Sequence, residues 1–123
     1  MTNRKAKIID DSFTEADISI SGAVEKVPSA GALTIGFTDA DPVIIYTNLG
    51  AAITSLTFTT SGAVVSKKIV WYVKGNYAIA FGTYIKAGSS MDYGGVHARI
   101  DLECGVNPSD GTVQFWYNII NIA

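Results

Sequence analysis

The residues best suited to acid–base chemistry lie close together near the end of the chain. His97, the only histidine, precedes Arg99 and Asp101 at alternate positions, which places all three side chains on one face of a strand. An imidazole beside a carboxylate can act as a general acid or base. The same alternation also puts His97 among solvated charges, and we interpret it as a surface residue. Cys104, the only cysteine, falls on the opposite, apolar face, where a thiol packs as a small hydrophobic group.

Acidic side chains in three loops are the candidates for a calcium site. Asp39 and Asp41 alternate before Pro42, and Asp92 and Asp110 lie in other loops that could converge on them. Calcium prefers oxygen ligands of this kind. Two aspartates beside a proline are also typical of an ordinary turn, and the spacing of an EF-hand is absent. We therefore expect no metal and no cofactor.

Tyr93 is the best candidate for direct contact with a ligand. It lies in the glycine-rich segment 89–95, where an aromatic ring is easier to present to a partner than to bury. Carbohydrate recognition uses aromatic faces with carboxylates nearby. The sequence therefore indicates a ligand-binding surface of Tyr93 and Asp92, with Asp39 and Asp41 as further members.

The composition argues against several classes of protein. The 123 residues include 9 Lys plus Arg and 11 Asp plus Glu, and a net charge of −2 does not favour nucleic acid as a partner. No nucleophile motif occurs, so we expect no catalytic residues and no enzyme. The apolar runs are too short to span a bilayer, and the basic N-terminus is not followed by the apolar core of a signal peptide. We expect cytoplasmic synthesis without processing and no membrane insertion.

The elements that must position these residues are predicted to be β-strands. Ile, Val and aromatic residues are abundant, and turn residues recur every eight to twelve positions, as in sandwiches and barrels. We predict one domain, residues 1–123, with an N-terminal arm of about residues 1–15 and an eight-stranded antiparallel β-sandwich that is jelly-roll-like. The predicted strands are 16–21, 32–38, 43–48, 55–60, 68–74, 77–85, 96–104 and 112–122.

The segment around Gly75 is predicted to form a hairpin. A two-residue Gly-Asn loop fits a tight turn, and it would pair Trp71 with Ala80 and Val73 with Ala78. Both faces of this hairpin are apolar, with large side chains opposite small ones on one face. That pattern indicates a second surface packed closely over the alanines.

The last predicted strand is also apolar on both faces, and it indicates a subunit interface. A two-layer sandwich leaves one face of each strand in solvent, so such strands need cover from outside the sandwich. A second subunit is the simplest cover, and loops of the same chain are the alternative. We expect a homo-oligomer, with a trimer favoured, whose interface comprises Trp71, Ala78, Ala80, Trp116, Ile120 and Ile122.

The number and patterning of the strands resemble the jelly rolls and sandwiches of trimeric virion knobs, tumour-necrosis-factor-like and C1q-like domains, and bacteriophage virion proteins. The resemblance implies a small structural virion component, such as a capsid decoration, head-fibre or tail-tip protein, located in the virion or outside the cell. Its partners would be further copies of itself and a capsid or tail protein. The alternative function is a carbohydrate-binding module or lectin that binds a cell-surface glycan through the Tyr93 loop surface.

Overall fold

The computed structural model describes residues 18–87, 93 and 97–122, and its regular elements are all β-strands. The prediction of an all-β chain is confirmed, whereas the predicted arm, residues 1–15, lies outside the described residues. No helix long and apolar enough to cross a membrane occurs in the described ranges. The strands are β1 (Val24–Glu25), β2 (Ala32–Ile35), β3 (Ile44–Asn48), β4 (Ser55–Phe58), β5 (Lys68–Lys74), β6 (Ile85–Lys86), β7 (Ala98–Val106) and β8 (Val113–Asn121).

The strands form a large sheet in the order β1-β3-β5-β7-β8-β6 and a small sheet of β2 and β4. Strands β1, β3 and β5 run parallel in the large sheet, and β2 and β4 run parallel in the small one. The chain therefore passes from one sheet to the other and back, adding a strand to each sheet in turn. Strand β7 then pairs antiparallel with both β5 and β8.

Parallel pairing corrects the prediction of a purely antiparallel fold. Among the named strands only the two pairs made by β7 are antiparallel, and β6 runs parallel to β8 at the far edge. Antiparallel neighbours can be joined by tight turns, but here the chain from β1 to β5 alternates between the two sheets. The alternation of apolar residues is the same in both arrangements, so it does not distinguish them.

The core contains side chains from both sheets and is rich in aromatic rings. The ring centroid of Phe37 lies 4.8 Å from that of Phe115 and 5.5 Å from that of Phe58, so both sheets contribute to one cluster. Trp71 is wholly buried, and its Nε1–H donates to Thr47 Oγ1 at 2.9 Å. The Thr47 hydroxyl in turn donates to the backbone oxygen of Lys26 at 2.8 Å. Because the indole is enclosed by its own chain, the prediction of Trp71 as a subunit contact is wrong.

The predicted hairpin around Gly75 is also wrong. Trp71 and Val73 pair with Ile100 and Ala98 of β7, not with Ala80 and Ala78. Strand β7 gives β5 a longer partner whose apolar residues enter the same core.

After Gly75, which has φ of +133°, the chain crosses to the small sheet instead of turning back. There Ile53 N–H donates to the oxygen of Ala78, and Ala80 N–H donates to the oxygen of Ile53. The segment predicted as strand 77–85 therefore adds one bridge, Ile53 to Ile79, beside β4. The prediction of a strand at 16–21 is not met either, since residues 18–21 form none.

Candidate binding groove

The side chains of the large sheet that point away from the core form what we call the open face. They are mostly half-buried and include aromatic, aliphatic and charged residues. The strand register aligns them in rows across the sheet. The rows are Tyr46-Tyr72-Arg99-Ile120, Ile44-Val70-Asp101-Asn118 and Lys68-Glu103-Trp116-Ile85.

A groove of about 450 Å³ lies in the open face, across β5, β7 and β8. Its volume falls in the range of sites that bind small molecules. The side chains that give it chemical character are those of Lys68, Arg99, Asp101, Glu103, Trp116 and Asn118.

Trp116 lies along the sheet at the groove because of Gly105. The indole leans from β8 across β7, and its six-membered ring occupies the space above Gly105. A Cβ built on Gly105 would overlap Cζ3 of the ring and lie 2.8 Å from Cη2. The backbone φ of Gly105 is not in the left-handed region, so this close approach is the reason for the glycine. The contact fixes the ring as one wall of the groove.

Arg99 and Asp101 form an ion pair beside Trp116. Arg99 Nε lies 3.1 Å from Asp101 Oδ1, and Nη2 lies 3.3 Å from Oδ2, which makes the pair bidentate. Both side chains are about two-fifths exposed, and exposed pairs of this kind contribute little to stability. The pair is therefore better understood as a positioned donor and acceptor at the groove than as a structural contact.

Lys68 and Glu103 place a second cation and a second anion in the groove. They stand directly opposite each other on β5 and β7. Asn118, opposite Asp101, adds an amide that can both donate and accept hydrogen bonds. The groove thus combines one aromatic wall with donors and acceptors of both charges.

Tyr93 is packed rather than freely presented, which corrects the expectation of an exposed contact ring. Its hydroxyl donates to the backbone oxygen of Gly75 at 2.6 Å, and its ring packs against the core. Burial raises the pKa of Tyr93 to about 12, so the phenol stays protonated further into the alkaline range than a solvent-exposed tyrosine does. Asp92, the predicted neighbour of Tyr93, lies outside the described residues.

The carboxylate of Asp41 forms hydrogen bonds within the turn in which Asp41 lies. Its Oδ2 accepts hydrogen bonds from the N–H and the hydroxyl of Thr38, both at 2.8 Å, and these bonds hold the pKa of Asp41 below its ordinary value. The Lys67 ammonium donates to the backbone oxygens of Thr38 and Asp41 and closes the turn from the other side. Asp39 is exposed. Asp110 likewise accepts from the N–H and hydroxyl of Thr112.

No metal centre is formed by the described residues. Within residues 18–87, 93 and 97–122, no group of three or more His, Cys, Asp or Glu side chains is placed to hold an ion. The carboxylates of Asp41 and Asp110, which we considered as candidate calcium ligands, accept hydrogen bonds within their own loops. His97 is exposed, as predicted, and Cys104 is fully buried. Burial, and then the charge of Glu103, raise the pKa of the Cys104 thiol, which keeps it protonated and unreactive.

The predicted interface residues other than Trp71 lie on different parts of the surface. Ala78 and Ala80 are exposed beside the small sheet, whereas Trp116 and Ile120 belong to the open face of the large sheet. Ile122 is exposed just after β8, where its N–H donates to the backbone oxygen of His97. The structure therefore separates the alanines from the exposed end of the last strand.

Sequence reasoning found the polar face of β7 but missed the groove. It assigned Gly105 to a turn, whereas Gly105 lies within β7 and is covered by Trp116. A glycine that continues an alternating strand is a signal for close approach of another group, and that signal was present in the sequence.

Comparison with family models, curated protein sequences and solved structures finds no match to the chain.

Proposed function

We propose that this chain is a non-enzymatic binding protein that holds a carbohydrate in the groove of the open face. The observation that carries the proposal is the contact between Trp116 and Gly105, which fixes an indole ring along the sheet beside four charged side chains. A ring held in this way does not have to be ordered when a ligand arrives, which lowers the entropic cost of binding.

The two kinds of contact in the groove match the two kinds of surface on a sugar. The C–H groups on one face of a pyranose ring are apolar and can stack on an aromatic side chain such as Trp116. The hydroxyl groups at the rim of the sugar need partners that donate and accept, and Arg99, Asp101 and Asn118 supply both. This proposal keeps the carbohydrate-binding alternative but moves its site from the Tyr93 loop to the open face.

The proposal predicts that binding depends on Trp116. An array of immobilised neutral and acidic glycans is probed with the labelled wild-type protein and with Trp116→Ala. We expect wild-type signals that fall by about tenfold or more in the variant, which corresponds to about 1.4 kcal/mol or more of lost stacking. Tyr77→Ala is the matched control, because Tyr77 is an exposed aromatic residue that does not line the groove. Absence of wild-type signals, or equal signals from Trp116→Ala, would refute the proposal.

A second candidate function, assembly with further copies of the chain in a virion, is favoured by the exposed end of β8. Ile120 is 39% exposed and Ile122 is 62% exposed, and the two lie at alternate positions beside Arg99 and His97. Exposed aliphatic side chains of this kind are typical of subunit contacts when they are clustered. A closed oligomer would present several grooves together and so raise the apparent affinity for a repetitive glycan.

Light scattering tests this second candidate. The solution mass is measured for the wild type and for the double variant Ile120→Ser, Ile122→Ser. We expect a defined oligomer, with a trimer favoured, that dissociates to the 13.0 kDa chain in the variant because two apolar contacts are lost. A wild-type protein that stays monomeric at micromolar concentration would contradict assembly through this surface, and it would leave the glycan proposal standing.

A further inference from the structure

We infer that the groove selects an uncharged glycan chain that lies across several strands of the open face. This inference rests on the proposed function and adds the class of ligand to it. Two features of the groove support it, the balance of its charges and the arrangement of its donors and acceptors, together with the distance from Trp116 to the tyrosines of the open face that lie beyond the groove.

The charges of the groove cancel among themselves. Two cations, Lys68 and Arg99, face two anions, Asp101 and Glu103. Arg99 is already bound to Asp101 through two hydrogen bonds, so an anionic sugar would have to displace a carboxylate from the guanidinium. It would also approach Glu103 and meet a like charge. Sites that bind phosphate, sulfate or carboxylate use uncompensated cations, which this groove does not offer.

Hydroxyl groups fit the groove better than ions do. Both carboxylate oxygens of Asp101 accept hydrogen bonds from Arg99, and each oxygen has a further lone pair with which it can accept another. The guanidinium of Arg99 has five N–H groups, of which two donate to Asp101. A sugar hydroxyl can donate a hydrogen bond to the Asp101 carboxylate and accept one from the Arg99 guanidinium at the same time. Lys68 and Glu103, directly opposite each other, present a second such couple for a neighbouring hydroxyl.

Trp116 and the tyrosines of the open face are too far apart to contact the same sugar ring. Trp116 and Tyr72 lie two strands and two rows apart, which from strand spacing and rise is roughly 17 Å between their Cα atoms. Tyr46 continues the row beyond Tyr72. A ligand that contacts both Trp116 and Tyr72 passes over Asp101, and it must be an oligosaccharide rather than a monosaccharide.

Isothermal titration with named oligosaccharides tests this inference. The neutral probes are cellohexaose, mannohexaose and xylohexaose, with cellobiose, mannobiose and xylobiose as short forms. The acidic probes are hexagalacturonate and a hyaluronan hexasaccharide. For the wild type we expect at least one neutral hexasaccharide to bind about tenfold or more tighter than both acidic probes and about tenfold tighter than its disaccharide. Because neither the neutral glycan nor the groove carries a net charge, the affinity of the wild type for the neutral hexasaccharide should change little with salt concentration.

The variant Asp101→Asn is the sharpest comparison. It frees the Arg99 guanidinium from its carboxylate and gives the groove a net positive charge, so the ratio of acidic to neutral affinity should rise about tenfold. Asp39→Asn is the matched control, since it makes the same change in charge at an exposed residue outside the groove. We expect this control to leave the ratio unchanged.

The outcomes separate the inference from the proposed function. If the wild type binds an acidic hexasaccharide as tightly as the neutral ones, with an affinity that falls with salt, the groove binds glycans but the inference about charge is refuted. If a disaccharide binds as tightly as its hexasaccharide, the inference about length is refuted. If none of the probes binds and the glycan array is blank, the proposed function fails together with the inference.

Discussion

Replacing Gly105 by alanine is expected to remove glycan binding while keeping both tryptophans of the chain. The added Cβ would overlap the six-membered ring of Trp116, so the indole must leave its present position at the edge of the groove. This movement displaces the surface on which a sugar ring would stack. We expect the affinity for a neutral hexasaccharide to fall by about tenfold or more, and stability by about 1–3 kcal/mol from overpacking.

The effect of Gly105→Ala can be separated from a general effect of alanine in place of glycine. Gly50 also has no left-handed φ, and a Cβ added there meets no atom within 4 Å, so Gly50→Ala is the matched control. Binding is measured by titration calorimetry at a temperature where circular dichroism shows each variant to be folded. A folded Gly105→Ala variant with wild-type affinity would mean that Trp116 does not form the binding surface.

The largest expected effect on stability comes from Trp71→Ala. The side chain is wholly buried in the core, and its ring centroid lies 6.5 Å from that of Phe81 in an edge contact. Truncation leaves a large cavity and also removes the N–H that donates to Thr47. We expect the free energy of unfolding to fall by about 3–5 kcal/mol.

Urea denaturation measures this loss, and two variants show where it comes from. Trp71→Phe keeps most of the ring but leaves Thr47 Oγ1 without its donor, and we expect it to cost about 1–3 kcal/mol. Trp116→Ala removes the other tryptophan, which is half-buried on the open face, and it should cost less than Trp71→Ala. Equal losses for the two alanine variants would contradict the assignment of Trp71 to the core and Trp116 to the surface.

Local patterns in the sequence predicted the faces of the strands well. In β7 the alternation of Ala98, Ile100 and Leu102 with Arg99 and Asp101 identified the buried and the open side, because the pleat depends only on neighbouring residues. Pairing between strands depends on distant residues and on the path of the connections. The Gly-Asn dipeptide after β5 therefore suggested a hairpin, whereas the chain crosses to the other sheet there.

The candidate site could be predicted only in part for the same reason. The polar face of β7 was visible in the sequence, but the groove needs β5 and β8 on either side of it. The contact of Trp116 with Gly105 depends on the register in which Glu103 faces Trp116 and Gly105 faces Gln114. Tyr93 was predicted as a contact residue from the glycines around it, but its hydroxyl is bound to the backbone of Gly75, far along the chain.

A nuclear magnetic resonance titration shows whether a neutral glycan binds at the Trp116 groove. The ¹⁵N-labelled protein is titrated with the neutral hexasaccharide that binds most tightly in calorimetry, and shifts are followed for every amide and for both indole N–H groups. We expect shifts of the Trp116 indole resonance and of amides in β5, β7 and β8 around the groove, with the resonance of the buried Trp71 indole unchanged. Shifts confined to the small sheet or to the surroundings of Tyr93, with Trp116 unmoved, would contradict it.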